Sequence, residues 1–274
     1  MGRHPLRYTH EGMVSGRERG AFATAIREWR RRRRISQLEL ALSAGTTQRY
    51  VSFIESDRSV PGREIVVRLA EALDVPLRER NSLLLTAGYA PAYDDTDFED
   101  PRFDPIRNAL ERLLDGHRPY PAVIADRHGD LVSGNVAFWK LTEGVAPDLL
   151  EPPISIARVI LDPRGLAPRI TNLDVYGWHV IDALREKSRR SPDERLNALI
   201  AELTQTIPDR VRTDPNHLGY AVPLRLRAPQ GELSLLTTLA HFPTAIDVAV
   251  SELSLEAFLP GDAATAEALA LADG

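Results

Sequence analysis

The stretch SQLELALSAGTTQRYVSFIESD, residues 36–57, carries two short apolar patterns on either side of a glycine. Ser36 stands before the first pattern and Glu39 follows three residues later, which is the signature of a capping box at a helix start. Gly45 can adopt the left-handed conformation that ends a helix. Thr47 is a candidate cap for the next helix. The stretch therefore predicts two short helices joined by a tight turn.

The second of these helices has an apolar side formed by Tyr50, Val51 and Ile54, and a different set of side chains on its outside. A core-building helix does not need that outer face, whereas a helix-turn-helix uses it to touch base edges in the major groove. The side-chain amide of Gln48 can pair with adenine, and the guanidinium of Arg49 can pair with guanine. Phe53 can contact a thymine methyl group. Packing of Phe53 against the following loop is the open alternative. The predicted base contacts are Thr47, Gln48, Arg49, Ser52 and Phe53.

Phosphate contacts are predicted around this face. Gln37 is the first residue of the first helix of the pair, and both helix N-termini and amide side chains commonly bind phosphates. A run of five arginines, residues 30–34, precedes it, but a helix cannot point all five at one surface. The predicted phosphate contacts are Gln37, Arg33, Arg34, Arg58 and Arg63.

Three further amphipathic patterns complete an all-α unit of five helices over residues 19–91, after a flexible arm over residues 1–18. They lie in RGAFATAIREWRRRRR, in REIVVRLAEALD and in PLRERNSLLLTAG. Residues 1–91 carry a net charge of +6 and residues 92–274 one of −11. A basic end joined to an acidic remainder favours a polyanion as the partner of the first part. Residues 92–104, AYDDTDFEDPRFD, read as an acidic, solvated linker.

Beyond the linker the pattern changes to mixed helix and strand. Residues 120–135 read as a hairpin, several helices follow, and three strands come late, the first of them showing strict alternation in YAVPLRLRAP. The sequence thus predicts an α+β domain with five strands over residues 105–261, followed by a C-terminal tail over residues 262–274.

The composition excludes several classes of site. The chain has no cysteine, which rules out disulfides, thiolate metal sites and a thiol nucleophile. It has no phosphate loop, no HExxH and no G-x-S-x-G motif, and its histidines lack metal-ligand spacing. We therefore expect no enzyme activity, no metal and no cofactor. No apolar run approaches the roughly 18 residues of a membrane span, so a cytoplasmic location without membrane contact is expected.

Clustered aromatic and polar residues in the second domain suggest a small-molecule pocket, because such pockets combine apolar walls with a few convergent polar groups. We expect Trp139 and Trp178 to face a shared cavity, with Arg169 near its mouth, either holding an acidic head group or paired with Asp162 or Asp174. The alternative is that the aromatic residues form the core between helices and sheet. The predicted pocket residues are Phe138, Trp139, Arg169, Asn172, Tyr176 and Trp178.

Residues 19–90 resemble the phage-repressor-like, Xre-type helix-turn-helix family. The Ser-Gln helix start, the Ala-Gly turn and the pair Ile54-Glu55 carry the resemblance. In that family the glutamate at the end of the recognition helix bonds to an arginine of the first helix, which implies an ion pair between Arg30 and Glu55. Two positions depart from the family pattern: Asp57 stands where glycine is frequent, and Phe53 where a polar reader is common.

The whole chain resembles the MmyB-like regulators, through PAVIADRHGDLVSGNVAF, ARVILDPRGLAPRITNLD, VPLRLRAPQGELSLLTTLAHF and SELSLEAFLPGD, which cover most of residues 120–263. The resemblance implies a PAS-like domain with a five-stranded antiparallel sheet and a chamber for an effector such as a fatty acid. We therefore expect a homodimeric regulator that binds double-stranded operator DNA. In the alternative, the C-terminal domain binds no ligand and serves dimerisation or docking of a partner protein.

Overall fold

The computed structural model of the protein describes residues 16–209, 221–242 and 245–273. Its contacts divide the chain into two compact units, with the boundary between Asp94 and Asp95. The predicted N-terminal arm falls largely outside the described residues, because only residues 16–18 of it are included, and these begin the first helix.

The first unit consists of five helices, as predicted. They are α1 Gly16–Arg33, α2 Gln37–Ser43, α3 Gln48–Glu55, α4 Arg63–Ala72 and α5 Leu77–Thr86. Their apolar stripes meet in one core that includes Ile26, Leu40, Val51, Ile54 and Leu69. Burial of this core stabilises α2 to α5, which at 7 to 10 residues are too short to be stable alone.

Local signals define the turn between α2 and α3. The capping box at the start of α2 is complete: Ser36 Oγ accepts from the Glu39 amide at 3.1 Å, and the Ser36 amide donates to Glu39 Oε2 at 2.6 Å. Gly45 adopts a φ of +61°, which favours glycine, and Thr47 Oγ1 caps α3 through the Tyr50 amide. The turn thereby fixes the direction of α3 relative to α2.

The second unit combines a five-stranded antiparallel sheet with helices, as predicted. The strands are β1 Ala122–Ala125, β2 Leu131–Gly134, β3 Leu224–Ala228, β4 Gly231–His241 and β5 Ser254–Pro260, in the order β2-β1-β5-β4-β3. The helices are α6 Asp104–Asp115, α7 Val136–Leu141, α8 Ile156–Leu161, α9 Leu173–Arg190, α10 Glu194–Thr204, α11 Val248–Ser251 and α12 Ala263–Asp273.

The two faces of this sheet belong to different apolar clusters. The larger cluster joins Val123, Leu235 and Phe258 to residues of α7, α8, α9 and α10. The smaller one joins Ile124 and Leu255 on the opposite face to Leu110 and Leu114 of α6. Alternation along each strand separates these sets, since successive side chains point to opposite faces.

The segment predicted as a solvated linker, residues 92–104, is divided between the two units. Asn81 of α5 hydrogen bonds to the backbone of Tyr93, which attaches the start of the segment to the first unit. Phe103 is buried and Phe98 packs against the smaller cluster of the second unit. The Tyr93 backbone and the side chains of Phe98 and Phe103 thus anchor a stretch whose acidic residues suggested full solvation.

The predicted C-terminal tail, residues 262–274, contains α12, which packs against β4. Asp262 caps this helix through the Thr265 amide at 2.7 Å. Thr265 Oγ1 in turn accepts from the Ser234 amide of β4 at 2.9 Å, and Leu269 is buried. The helix is therefore part of the second unit, to which it is attached through Thr265 and the buried Leu269.

Candidate nucleic-acid interface and effector cavity

The outer face of α3 presents the side chains predicted to read DNA. Gln48 and Arg49 are exposed, and Ser52 and Phe53 are half-buried, whereas Val51 and Ile54 on the opposite side are buried. The Arg49 guanidinium lies 5.2 Å from the centroid of the Phe53 ring. This cation–π contact, typically about 0.5–1 kcal/mol at an exposed site, restricts where the arginine points, which gives Phe53 a third role besides the two weighed from sequence.

The predicted partners Arg30 and Glu55 come together in a buried network. Arg30 Nε and Nη2 donate to the two carboxylate oxygens of Glu55 at 2.6 and 2.9 Å, and Arg30 Nη1 donates to the carbonyl of Ile35. Glu55 is only 3% exposed. Arg27, which the sequence reasoning missed, donates to the backbone carbonyl of Glu55. Its position one turn before Arg30 was the available signal, because the two share a helix face.

The electrostatics of Glu55 reflect this pairing. Burial alone would raise the pKa of Glu55, but hydrogen bonds from Arg30 and Gln37 and the positive charges of Arg30 and Arg27 hold that pKa below its usual value. The same hydrogen bond raises the pKa of Arg30. The network ties the end of α3 to α1 and α2, so it sets the angle at which the outer face of α3 is presented.

Two of the predicted phosphate contacts have other partners in the structure. Gln37 Nε2 donates to Glu55 Oε2 at 2.8 Å, so its amide nitrogen is engaged within the buried network. Arg33 Nε donates to the Leu73 carbonyl at 2.8 Å and its Nη2 donates to the Asp74 carbonyl at 2.5 Å. Arg33 therefore caps the C-terminus of α4, which periodicity within α1 could not reveal.

The other three predicted phosphate contacts are exposed: Arg34, Arg58 and Arg63. Arg58 follows α3 directly, and its amide closes the helix end by bonding to the Phe53 carbonyl at 2.8 Å. Asp57, the residue before Arg58, has a φ of +58°. This conformation explains why glycine is frequent at this position in the resembling family, since only glycine adopts it without steric cost.

The residues predicted to line one pocket in the second unit lie in different environments. Phe138 and Tyr176 are buried in the larger cluster. The Tyr176 hydroxyl lies 3.2 Å from Thr237 Oγ1 of β4. Burial raises the pKa of Tyr176 to about 12, while the hydrogen bond between Tyr176 and Thr237 opposes the shift and the charge of Glu256 adds to it. These two aromatic residues are core, the alternative that the sequence left open.

Trp139 and Trp178 do not meet as expected. Trp139 is 40% exposed, and its indole Nε1 donates to the Gly134 carbonyl at 3.2 Å. Trp178 donates from Nε1 to the Pro208 carbonyl at 2.9 Å, and the Arg185 guanidinium lies 5.5 Å from its ring. Each tryptophan is thus oriented by a hydrogen bond to a backbone carbonyl, and neither lines the cavity described below.

Asn172 holds the start of β3. Its Nδ2 donates to the Pro223 carbonyl at 2.9 Å, and its Oδ1 accepts from the Arg225 amide at 3.2 Å. The side-chain amide thereby replaces the backbone partner that a neighbouring strand would supply. This geometry makes Asn172 a structural residue rather than a ligand-facing one.

Arg169 does line a cavity, of about 310 Å³. Its Nε donates to the Arg227 carbonyl at 3.1 Å, and its Nη1 donates to the carbonyls of Leu141 and Glu143 at 3.0 and 3.2 Å. Among the described residues it forms no ion pair, with Asp162, Asp174 or any other acid. Its positive charge is therefore fixed in place by backbone groups alone.

The walls of this cavity come from distant parts of the chain. Most are apolar, and Lys140, Glu143 and Gln230 provide polar groups beside Arg169. The remaining lining residues are Pro119, Ala137, Leu141, Ala228, Pro229, Leu233, Ala268, Leu269 and Ala272. Sequence reasoning missed the wall supplied by α12, although the repeated small residues of that helix leave the space.

No helix in the described part of the chain is both long and apolar enough to cross a membrane. Within residues 16–209, 221–242 and 245–273, no group of three or more His, Asp or Glu side chains is arranged to hold a metal ion.

Comparison with known proteins agrees with both units. A helix-turn-helix family model matches residues 26–80, and the model of the MmyB-like transcription regulator ligand binding domain matches residues 106–272. No curated protein matches. Among solved structures, the clp gene regulator ClgR from Corynebacterium glutamicum matches with 20% identity over 37% of this chain and 95% of that chain, at a TM-score of 0.23, too low to support an argument.

The exposed α3 face, the Arg30–Glu55 network and the α+β unit are thus found in a chain matched by both family models. The Xre-like helix-turn-helix unit and the ligand-binding domain together define a DNA-binding transcription regulator. Because the second model covers more than half of the 274 residues, the chain belongs to the family of MmyB-like transcription regulators.

Proposed function

We propose that this regulator reads a specific operator in double-stranded DNA through α3, as a homodimer, and responds to a small apolar or acyl-type effector in its second unit. The observation that carries the DNA-reading part is the outer face of α3. There Gln48 and Arg49 are exposed, Phe53 restricts the arginine, and the buried Glu55 network fixes the helix.

The residues proposed to read bases and those proposed to bind phosphates differ in their position relative to α3. Arg49 lies within α3, where bidentate contact with guanine is the commonest specific interaction. Arg58 lies just beyond the helix end, where the DNA backbone passes in this mode of docking. The proposal keeps Thr47, Gln48, Arg49, Ser52 and Phe53 as base contacts and Arg34, Arg58 and Arg63 as phosphate contacts, whereas Arg33 and Gln37 act mainly within the fold.

The experiment is selection of duplexes by the full chain from a random library, followed by titration of the selected operator and of random DNA. Arg49→Ala should weaken operator binding by about 1–3 kcal/mol and relax the preference at one base pair, whereas Arg58→Ala should weaken binding to both DNAs alike. Equal losses for both variants on both DNAs would contradict the assignment of readers and phosphate contacts.

The effector part rests on the cavity lined by Arg169. Its volume and the apolar residues in its walls fit a small ligand, and the Arg169 guanidinium, which forms no ion pair within the described residues, fits a carboxylate head group. These features support a carboxylic acid with a compact apolar body, such as a short acyl chain. The match to the family's ligand-binding domain supports the existence of an effector.

This part is tested by native mass spectrometry of the purified chain and by melting with added fatty acids of increasing length. A ligand at 100 times its dissociation constant should add about 2.7 kcal/mol to the unfolding free energy. Ala268→Phe should fill the cavity and abolish the shift, whereas Ala270→Phe, exposed on the same helix, should retain it. A shift that persists in Ala268→Phe places the effector elsewhere.

The alternative, a second unit that binds no effector and serves dimerisation or partner docking, is favoured by one observation. The end of β4, residues 237–241, is exposed although β5 beside it is largely buried. This alternative would be supported if no acid co-purifies with the chain, no added acid binds, and the chain is a stable dimer.

A further inference from the structure

Arg49 and Phe53 lie about one helical turn apart on the outer face of α3 and contact each other. Residues four apart share a helix face, and the side chains of a helix tilt toward its N-terminus, so the Phe53 ring is directed back toward Arg49. The Cζ atom of Arg49 lies 5.2 Å from the centroid of that ring. The two side chains therefore act from one place on the surface that the proposed function assigns to DNA.

The hydrogen-bond donors of Arg49 are free, in contrast to those of Arg27 and Arg30. These two arginines donate to Glu55 within the first unit. Among the described residues, the Arg49 guanidinium forms neither a hydrogen bond nor an ion pair, and its contact is with the Phe53 ring. A guanidinium carries five N–H donors in a fixed fork. All of them remain available to a guanine edge, where O6 and N7 accept.

Phe53 is half-buried, but it does not belong to the apolar core of the first unit. Val51 and Ile54 of the same helix are buried in that core, and Tyr50 packs against it. In the described part of the chain, no second aromatic ring pairs with Phe53. Packing in the core therefore does not account for an aromatic residue at this position, and part of the residue remains exposed.

The distance between the two side chains limits which base pairs they can reach together. Base pairs follow one another at about 3.4 Å along the duplex. The 5.2 Å between Arg49 and the Phe53 ring is shorter than two such steps, about 6.8 Å. A bidentate arginine occupies both acceptors of its guanine. The ring beside it therefore lies against the neighbouring base pair.

The chemistry of the ring selects one feature of that neighbouring pair. The apolar group that ordinary base pairs present in the major groove is the C5-methyl of thymine. A phenyl ring has no hydrogen-bond donor or acceptor, so it gains from contact with this methyl group and not from the amino groups of cytosine or adenine. 5-Methylcytosine carries the same methyl group at the same ring position.

We propose that Arg49 and Phe53 read two neighbouring base pairs together. Arg49 binds a guanine, and Phe53 contacts a pyrimidine with a 5-methyl group, thymine or 5-methylcytosine, in the next pair. The proposal rests on the proposed function, because it assumes that α3 lies in the major groove, and it names the part of the operator that this face recognises.

The experiment uses the full chain and the operator selected from the random library. Four duplexes carry thymine, uracil, cytosine or 5-methylcytosine beside the guanine whose preference depends on Arg49. Uracil removes only the methyl group, and we expect about fourfold weaker binding than with thymine, the effect of one buried group of this size. 5-Methylcytosine should bind about fourfold more tightly than cytosine for the same reason.

These duplexes need no variant protein, so the result does not depend on how a substitution folds. Equal binding of the thymine and uracil duplexes overturns the proposal, as does equal binding of the cytosine and 5-methylcytosine duplexes. A selected operator without thymine in the pair next to that guanine also overturns it.

A variant separates contact with the methyl group from a purely orienting effect of the ring on Arg49. In Phe53→Ala, the thymine and uracil duplexes should bind equally. Leu85→Ala is the matched control, since it removes an apolar side chain that is 60% exposed on α5, and it should keep the fourfold difference. A difference that persists in Phe53→Ala overturns the proposal.

The failure of this proposal is distinguishable from that of the proposed function. Operator binding that is unchanged in Arg49→Ala contradicts guanine reading and overturns both. Weaker binding in Arg49→Ala, together with equal binding of the thymine and uracil duplexes by the wild type, overturns only the joint reading of two base pairs.

Discussion

Two charged groups, one in each unit, show how differently this chain holds a charge. Glu55 in the first unit is buried, and its carboxylate is matched by the guanidinium of Arg30. Arg169 in the second unit is held by three backbone carbonyls and forms no ion pair within the described residues. A matched charge stabilises the fold, whereas a fixed but unmatched charge beside a cavity remains available to a ligand.

The largest expected effect comes from breaking the matched pair. Glu55→Gln leaves Arg30 buried without its counter-charge, and removing one partner of a buried ion pair typically costs about 3–5 kcal/mol. We expect a loss of this size in the unfolding free energy of the first unit, measured by chemical denaturation. Glu64→Gln is the matched control, since its ion pair with Arg68 is exposed and should contribute at most about 1 kcal/mol. Equal losses would contradict a structural role for the network.

Acid should break the same pair without a mutation. Because the pKa of Glu55 is lowered in the folded state, its stabilising contribution is complete above the unfolded pKa of about 4.3 and is lost as the pH falls through the folded pKa. The stability difference between the wild type and Glu55→Gln should therefore be constant near neutral pH and shrink below about pH 4. Denaturation curves across this range test the sign, and a difference that grows in acid would contradict it.

The unmatched charge should matter less to the fold. Arg169→Met keeps an apolar stem but removes three hydrogen bonds from a charged donor, and we expect a cost of about 1–3 kcal/mol, smaller than that of Glu55→Gln. The same variant should lose binding of acidic effectors in the melting assay. Arg189→Met, at an exposed position of α9, should change neither property. Severe unfolding of Arg169→Met would mean that the arginine is mainly structural.

The two units also differ in how far their sites could be predicted from the sequence. The α3 face lies within eight residues, so helical spacing and the caps at Ser36 and Thr47 place its side chains correctly. The cavity is assembled from residues between Pro119 and Ala272, and no local pattern brings these together. Trp139 and Trp178 were predicted to line a pocket because they are aromatic. Residue type does not determine which side of a helix packs inward.

Arg33 shows the same limit within the first unit. Its place in the five-arginine run indicated a phosphate contact, yet the end of α4, forty residues later, provides its partners. Arg169 was predicted at a cavity mouth and does line one, but with different companions. Long-range packing, rather than local propensity, decides between a structural and a functional role for a given arginine.

The smallest expected effect on the unfolding free energy comes from Asp57, beyond the end of α3. Asp57 holds a left-handed conformation that glycine adopts without steric cost. Asp57→Gly should change the unfolding free energy by no more than about 1 kcal/mol, in the stabilising direction, since the relief of strain outweighs the added flexibility of the unfolded chain. Asp57→Ala keeps the steric cost and serves as the control. A larger loss with glycine than with alanine would mean that the carboxylate has another role.

The central claim is that the chain, as a homodimer, reads bases with two first units held at a fixed distance. The most direct measurement is the affinity of the full chain for its selected operator when the half-sites are separated further. Half-sites one helical turn, or about 34 Å, apart should bind the dimer. Inserting half a turn of DNA, about 5 base pairs, should reduce the affinity to that of a single half-site, and a full turn should restore part of it. An affinity independent of the spacing would contradict a dimer that reads two half-sites together.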